Sequence, residues 1–148
     1  MTTLFAFLHH AAAFTLVAAV AIEFTLLRMA LTRASARVLQ VVDGVLGASA
    51  SFLLAVGLAR VFLFEKGAAY YFSSTAFLIK LGLFLVLAGL SVIPTLEFLL
   101  WRKVLSAGGE PVVAPARMKL LRQILHAELA GIVVILLCAA IMARGGWV

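Results

Sequence analysis

Nine side chains in this sequence pair ionisable chemistry with strongly apolar surroundings: His9, His10, Arg60 and Lys80, and then Glu23, Asp43, Glu97, His126 and Glu128. Ionisable groups inside long apolar runs are costly, and by default they mark a site or a required partner. Their positions along the runs separate them into two layers. His9, His10, Arg60 and Lys80 each fall within about one and a half helical turns of the same end of their runs. Two imidazoles and two cations at one depth suit an anionic ligand such as a carboxylate, a lipid phosphate or the propionates of a haem. A neutral imidazole ligates metal, so His10, or His9 beside it, is the expected iron ligand, with Arg60 and Lys80 neutralising the propionates. Haem b is therefore the one cofactor expected. A plainer reading stands beside it, in which Arg60 and Lys80 snorkel to the interface and the histidines bond to backbone carbonyls.

The second layer holds Glu23, Asp43, Glu97, His126 and Glu128, with Arg28, Arg37, Arg102 and Arg122 close by in sequence. Four carboxylates against four arginines predict an interhelical girdle of ion pairs. The alternative is a proton or cation site, since carboxylates and histidine at membrane depth are the material of proton relays. A di-metal carboxylate centre would need Glu-x-x-His on two helices, and the chain has only His126-x-Glu128. His126 and Glu128 stand about 200° apart around a helix, so one of them must face away from the bundle axis. A bis-histidine haem spanning His10 and His126 is disfavoured, because the two lie at opposite depths, about 12 Å apart in a core of about 30 Å.

No nucleophile–base pair, phosphate-cradling glycine loop or zinc spacing is present, so nothing supports the chemistry of a soluble enzyme. Cys138 is alone in an apolar run and reads as a small packing residue.

The elements that must position these groups are membrane helices. Of 148 residues, 66% are hydrophobic and 12% charged, about half the charged share of a soluble domain. A hydrocarbon core of about 30 Å needs about 20 helical residues. Four runs qualify, over residues 4–28, 38–64, 75–100 and 120–142, which predicts a single all-α transmembrane domain, a polytopic four-helix bundle. Ala19-Val20-Ala21 resembles a signal-peptide cleavage site, but a basic n-region is missing and two histidines sit near the start, so this segment is expected to remain as a span. Gly47-x-x-x-Ser51 predicts a small-residue contact face, and Pro94 a kink before Glu97.

Arg28, Arg33 and Arg37 flank the first connection, and Arg102, Lys103, Arg117, Lys119 and Arg122 the third, while the second holds the nearly neutral Glu65-Lys66. The positive-inside rule then puts the first and third connections in the cytoplasm and both termini outside. Trp101 and Trp147 would lie in opposite interfacial belts. The net charge of +6 therefore reports topology and attraction to membrane lipids, and nucleic acid is not an expected partner.

Glu23-Phe24-x-Leu26-x-Arg28 recurs as Glu97-Phe98-x-Leu100-x-Arg102, and Arg37 with Asp43 is echoed by Arg122 with Glu128. These matches predict two tandem helical hairpins related by a pseudo-two-fold axis along the membrane normal.

The stretch from Arg60 to Arg102, with Glu65-Lys66-Gly67, Tyr70-Tyr71, Phe77, Lys80, Phe84 and Ser91-x-x-Pro94-Thr95, resembles a bacterial family of small four-span membrane proteins known as a domain of unknown function, 2214-type. Leu8-His9-His10 fits it too. The resemblance implies a four-helix inner-membrane protein and brings no activity. More distantly, an early histidine and basic residues in later spans are similar to the haem-binding membrane protoporphyrinogen oxidases and to the copper-resistance D proteins. Three functional expectations follow. The first is a haem-binding or redox-linked membrane protein using His9, His10, Arg60 and Lys80. The second is a non-catalytic accessory subunit or scaffold, as a homo-oligomer or with a partner membrane subunit. The third is a small proton, cation or anion transporter.

Overall fold

A computed structural model of the chain describes the backbone of residues 2–64 and 67–144, and the side chains of residues 3–63 and 67–144. Glu65-Lys66 and Trp147, which enter the expected topology, lie outside the described residues. Six α-helices follow in order: α1 (Thr2–Leu26), α2 (Arg33–Ala59), α3 (Ala68–Phe72), α4 (Thr75–Leu100), α5 (Arg102–Ser106) and α6 (Pro115–Ala143). A π-helical turn, Arg60–Phe64, extends α2. No strand occurs among the described residues. The four long helices are each long and apolar enough to cross a membrane.

Where the helices begin is decided by caps more than by hydropathy. α2 starts at Arg33, ahead of the apolar run at Val38, because Thr32 and Ser35 form a reciprocal capping box. Glu110, from the α5–α6 connection, accepts a hydrogen bond from the Arg33 amide at 3.1 Å and adds negative charge at the same terminus. α6 starts at Pro115, ahead of Leu120, since proline at the first turn loses no helical hydrogen bond. Ser74 caps α4 through its hydroxyl and the Phe77 amide. Two connections reverse through glycines with positive φ, Gly67 and Gly108 (both +86°), a conformation that L side chains rarely adopt.

Helix α1 packs chiefly on α2, and α4 on α6; α1 also meets α6 and α2 meets α4, closing a four-helix ring. Contacts between opposite ends of the helices show neighbours to be antiparallel: His9, early in α1, lies beside Gly57, late in α2, and Gln40, early in α2, donates to the carbonyl of Phe98, late in α4, at 2.5 Å. The fold is thus an all-α four-helix membrane bundle.

The tightly packed core is concentrated toward one end. Val20, Leu27, Leu39, Phe98, Trp101, Leu105, Leu121 and Leu125 are buried there together. At the other end, where α1 begins and α6 finishes, the helices leave room for a cavity. Phe7, Phe14, Val86, Leu100 and Val133 are largely exposed around the circumference, as a lipid-facing surface requires.

Two packing expectations are corrected. Trp101 does not stand in an interfacial belt: it is 4% exposed, tilted against Phe98 with 4.9 Å between ring centroids, and its indole donates to Glu97. Gly47-x-x-x-Ser51 is not a contact face within the bundle. Gly47 and Ser51 are exposed, a Cβ at Gly44 or Gly47 would meet nothing, and the Ser51 hydroxyl turns back to the Gly47 carbonyl. The close helix approach lies instead at Gly131, where a Cβ would come within 2.5 Å of Leu87. Cys138 is buried, as a packing residue should be.

Candidate functional site

The residues of the first polar layer meet. His9 and His10 from α1, Arg60 from the π-helical turn and Lys80 from α4 all line one cavity of about 590 Å³. A cavity of this size falls within the range of about 300–1,000 Å³ that holds small molecules and cofactors. Its position follows from local structure. His9, about two turns into α1, can be approached by α2 because residue 57 is glycine: a Cβ there would lie 3.3 Å from the His9 ring. The π-helical turn rotates the residues that follow α2, and such turns recur at functional sites. Phe77, Leu81 and Phe84 supply apolar wall from α4.

The hydrogen bonding of His10 assigns its tautomer. Nδ1 lies 2.6 Å from the Ala6 carbonyl. A carbonyl only accepts, so Nδ1 carries the proton, and in the neutral ring Nε2 keeps its lone pair. A backbone-anchored imidazole of this kind is the usual form of a metal-ligating histidine. His9 and His10 are edge to face, with centroids 6.1 Å apart. Tyr70, Tyr71, Ser73 and Ser74 complete the polar lining. The two tyrosines lie in the connection between the second and third apolar runs, where adjacent aromatics follow the Gly67 turn. His9, Arg60, Tyr70, Tyr71 and Lys80 are each engaged with a neighbouring group.

The second polar layer does not form the expected girdle. Its single ion pair among the described residues is Arg117–Glu97 at 2.7 Å, with the Trp101 indole as the second donor to Glu97. Two of the four arginines expected in it, Arg28 and Arg122, are occupied elsewhere. Arg122 donates to the Leu27 carbonyl at 2.7 Å. Arg28 lies 4.2 Å over the Phe24 ring and donates to His126 Nε2 at 2.9 Å. His126 Nδ1 donates to the Arg122 carbonyl at 2.6 Å, so its ring is neutral and both nitrogens are used. Long guanidinium side chains near helix ends find carbonyls and rings close to the interface, and do not follow the carboxylates inward.

Glu23, Asp43 and Glu128 are left together inside, exposed by 0%, 7% and 3% respectively. They come from α1, α2 and α6 and lie within electrostatic reach of one another. The Thr95 hydroxyl donates to Asp43 at 2.7 Å, Ser91 stands near Glu128, and no oxygen of Glu23 or Glu128 has a hydrogen-bond partner. His126 is exposed while Glu128 is buried, the outward-and-inward split that their angular separation requires. Glu97 thus leaves the expected carboxylate layer, and Thr95 and Ser91, spaced i and i+4 on α4, join it. No group of three histidine, cysteine or acidic side chains at metal-binding spacing occurs among the described residues.

Four apolar helices in an antiparallel ring, with polar groups held inside, define an integral membrane protein. The chain belongs to the family described as predicted membrane protein DUF2214, whose model matches residues 1–146. No curated protein and no solved structure matches it.

Proposed function

We propose that the cavity beside His9 and His10 binds a flat amphiphile carrying acidic groups, and that haem b is the ligand whose chemistry uses an imidazole together with its guanidinium and ammonium groups. The observation that carries this reading is the convergence of two imidazoles, a guanidinium and an ammonium, from α1, the π-helical turn and α4, on one cavity with aromatic walls. His10 would hold the iron through Nε2, the nitrogen left available by its bond to Ala6. Arg60 and Lys80 would pair with propionates, and Phe77 and Phe84 would cover the macrocycle. Bound haem would supply one-electron chemistry, which makes the protein redox-linked. The chain's own contribution would be to fix the imidazole tautomer, neutralise the acids and exclude water.

An absorption spectrum of the gently solubilised protein, oxidised and then dithionite-reduced, tests this. A Soret band with reduced α and β bands is expected, and His10→Ala should abolish it. Arg60→Ala and Lys80→Ala should each weaken haemin binding about tenfold, or about 1.4 kcal/mol. A colourless protein that gains no band on titration with haemin would overturn the reading.

We further propose that this cavity faces away from the cytoplasm in a bacterial inner membrane. The basic residues concentrated around the α1–α2 and α4–α6 connections, at the opposite end of the bundle, support this orientation.

A further inference from the structure

Glu23, Asp43 and Glu128 take no part in the proposed ligand site, yet they are the buried carboxyl groups among the described residues. A buried carboxyl group carries either a proton or a negative charge that something must balance. No ion pair to these three carboxyl groups occurs among the described residues, although Arg37 and Arg102 stand on the wall of the cleft that reaches Asp43. On α1, Arg28 is turned onto Phe24 and His126. On α6, Arg122 is bonded to the Leu27 carbonyl, and His126 is neutral and exposed. On α4, the groups that face the trio are the hydroxyls of Thr95 and Ser91, while Glu97 is consumed by Arg117. On α2, Arg37 forms no ion pair with Asp43, and Gln40 gives its amide to Phe98.

Two observations beyond the clustering point to what the trio holds. Glu23 is wholly buried with both oxygens unpartnered, and it lies within electrostatic reach of Asp43 and Glu128. A separate cleft of about 440 Å³ between α2 and α4 reaches Asp43, and its walls include the exposed Arg37, Val41, Leu99 and Arg102. The interior carboxyl group therefore has a route for water, while Glu23 and Glu128 lie behind it. The spacing provides no metal-ion site, and the ligand that single carboxyl oxygens hold without further donors is a proton.

The geometry points to a proton-binding centre made of Glu23, Asp43 and Glu128, which exchanges with bulk water through the α2–α4 cleft. On binding, a proton from water joins a carboxylate oxygen and cancels one negative charge; on release it returns to water, and no electron moves. Asp43 is the entry residue, held by Thr95, and Glu23 and Glu128 share the proton from either side. Carboxyl groups at membrane depth are where proton relays are found.

Infrared titration of the full chain in liposomes, in water and in deuterium oxide, tests this at the opposite end from the ligand cavity, so its outcome does not depend on haem. A carboxylic C=O band that grows as pH falls and shifts down in deuterium oxide is expected, and it should lose intensity in Glu23→Gln. Val41→Trp, at an exposed position on the cleft wall, should leave the band in place and slow its deuterium exchange at least severalfold. Absence of a titrating band, or a band unchanged in each of Glu23→Gln, Asp43→Asn and Glu128→Gln, would overturn the centre. If those variants do not fold, Val41→Trp still decides: exchange as fast as in the unaltered chain would overturn access through the cleft.

Discussion

Two histidines make the same local bond and reach different ends. His10 and His126 each give Nδ1–H to the carbonyl four residues earlier, at 2.6 Å, because a histidine within a helix can reach back one turn. For His126 the remaining nitrogen is taken by Arg28; for His10 it is the atom the ligand reading needs. Replacing His126 with alanine should therefore cost about 1 kcal/mol, the worth of an ordinary hydrogen bond, and should leave any haem spectrum unchanged, whereas His10→Ala abolishes it. Thr95→Val should be more costly, about 1–2 kcal/mol, because it removes the hydroxyl that Asp43 accepts from in a buried setting. Thermal unfolding in detergent measures both. Neither the Thr95 bond nor the loneliness of Glu23 can be read from sequence, since each depends on which face of a neighbouring helix arrives opposite.

At the scale of elements, hydropathy locates the part of a helix that meets lipid, and side-chain chemistry locates its end. Thr32 and Ser35 extend α2 back to Arg33, so Thr32→Ala should destabilise the protein by about 1 kcal/mol. The same comparison shows which small residues matter. Gly47 and Ser51 fit a contact motif but lie exposed, while Gly131, in no motif, admits Leu87. Gly131→Ala should cost about 1–3 kcal/mol by overpacking, and a shortened Leu87→Ala partner should relieve much of that cost. A double-mutant cycle on unfolding midpoints measures the coupling, and independence of the two positions would contradict the close α4–α6 approach.

For the whole molecule, one end is packed and the other is hollow. Large side chains fill the end around Phe98, Leu121 and Leu125, whereas histidine, arginine, lysine and tyrosine at the other end hold the helices around a cavity. The proposed orientation is tested by labelling. Val112, in the α5–α6 connection, is 98% exposed, and buried Cys138 should stay silent. Val112→Cys should resist a membrane-impermeant maleimide in intact cells and react after permeabilisation. Reaction in intact cells would invert the topology.

Four spans were legible from sequence alone, because a helix rises about 1.5 Å per residue and the bilayer sets the length of apolar run it needs. That one-dimensional ruler put His9, His10, Arg60 and Lys80 at one level. It could not say which way each side chain turns, and azimuth decided the rest. Only the tertiary structure separates Glu97, paired with Arg117, from Glu23, buried without a partner, although both stand in the same recurring motif. The arginines expected to neutralise the carboxylates reach carbonyls and rings instead. Depth is written along one chain segment, whereas burial and pairing depend on rotations of helices far apart in sequence.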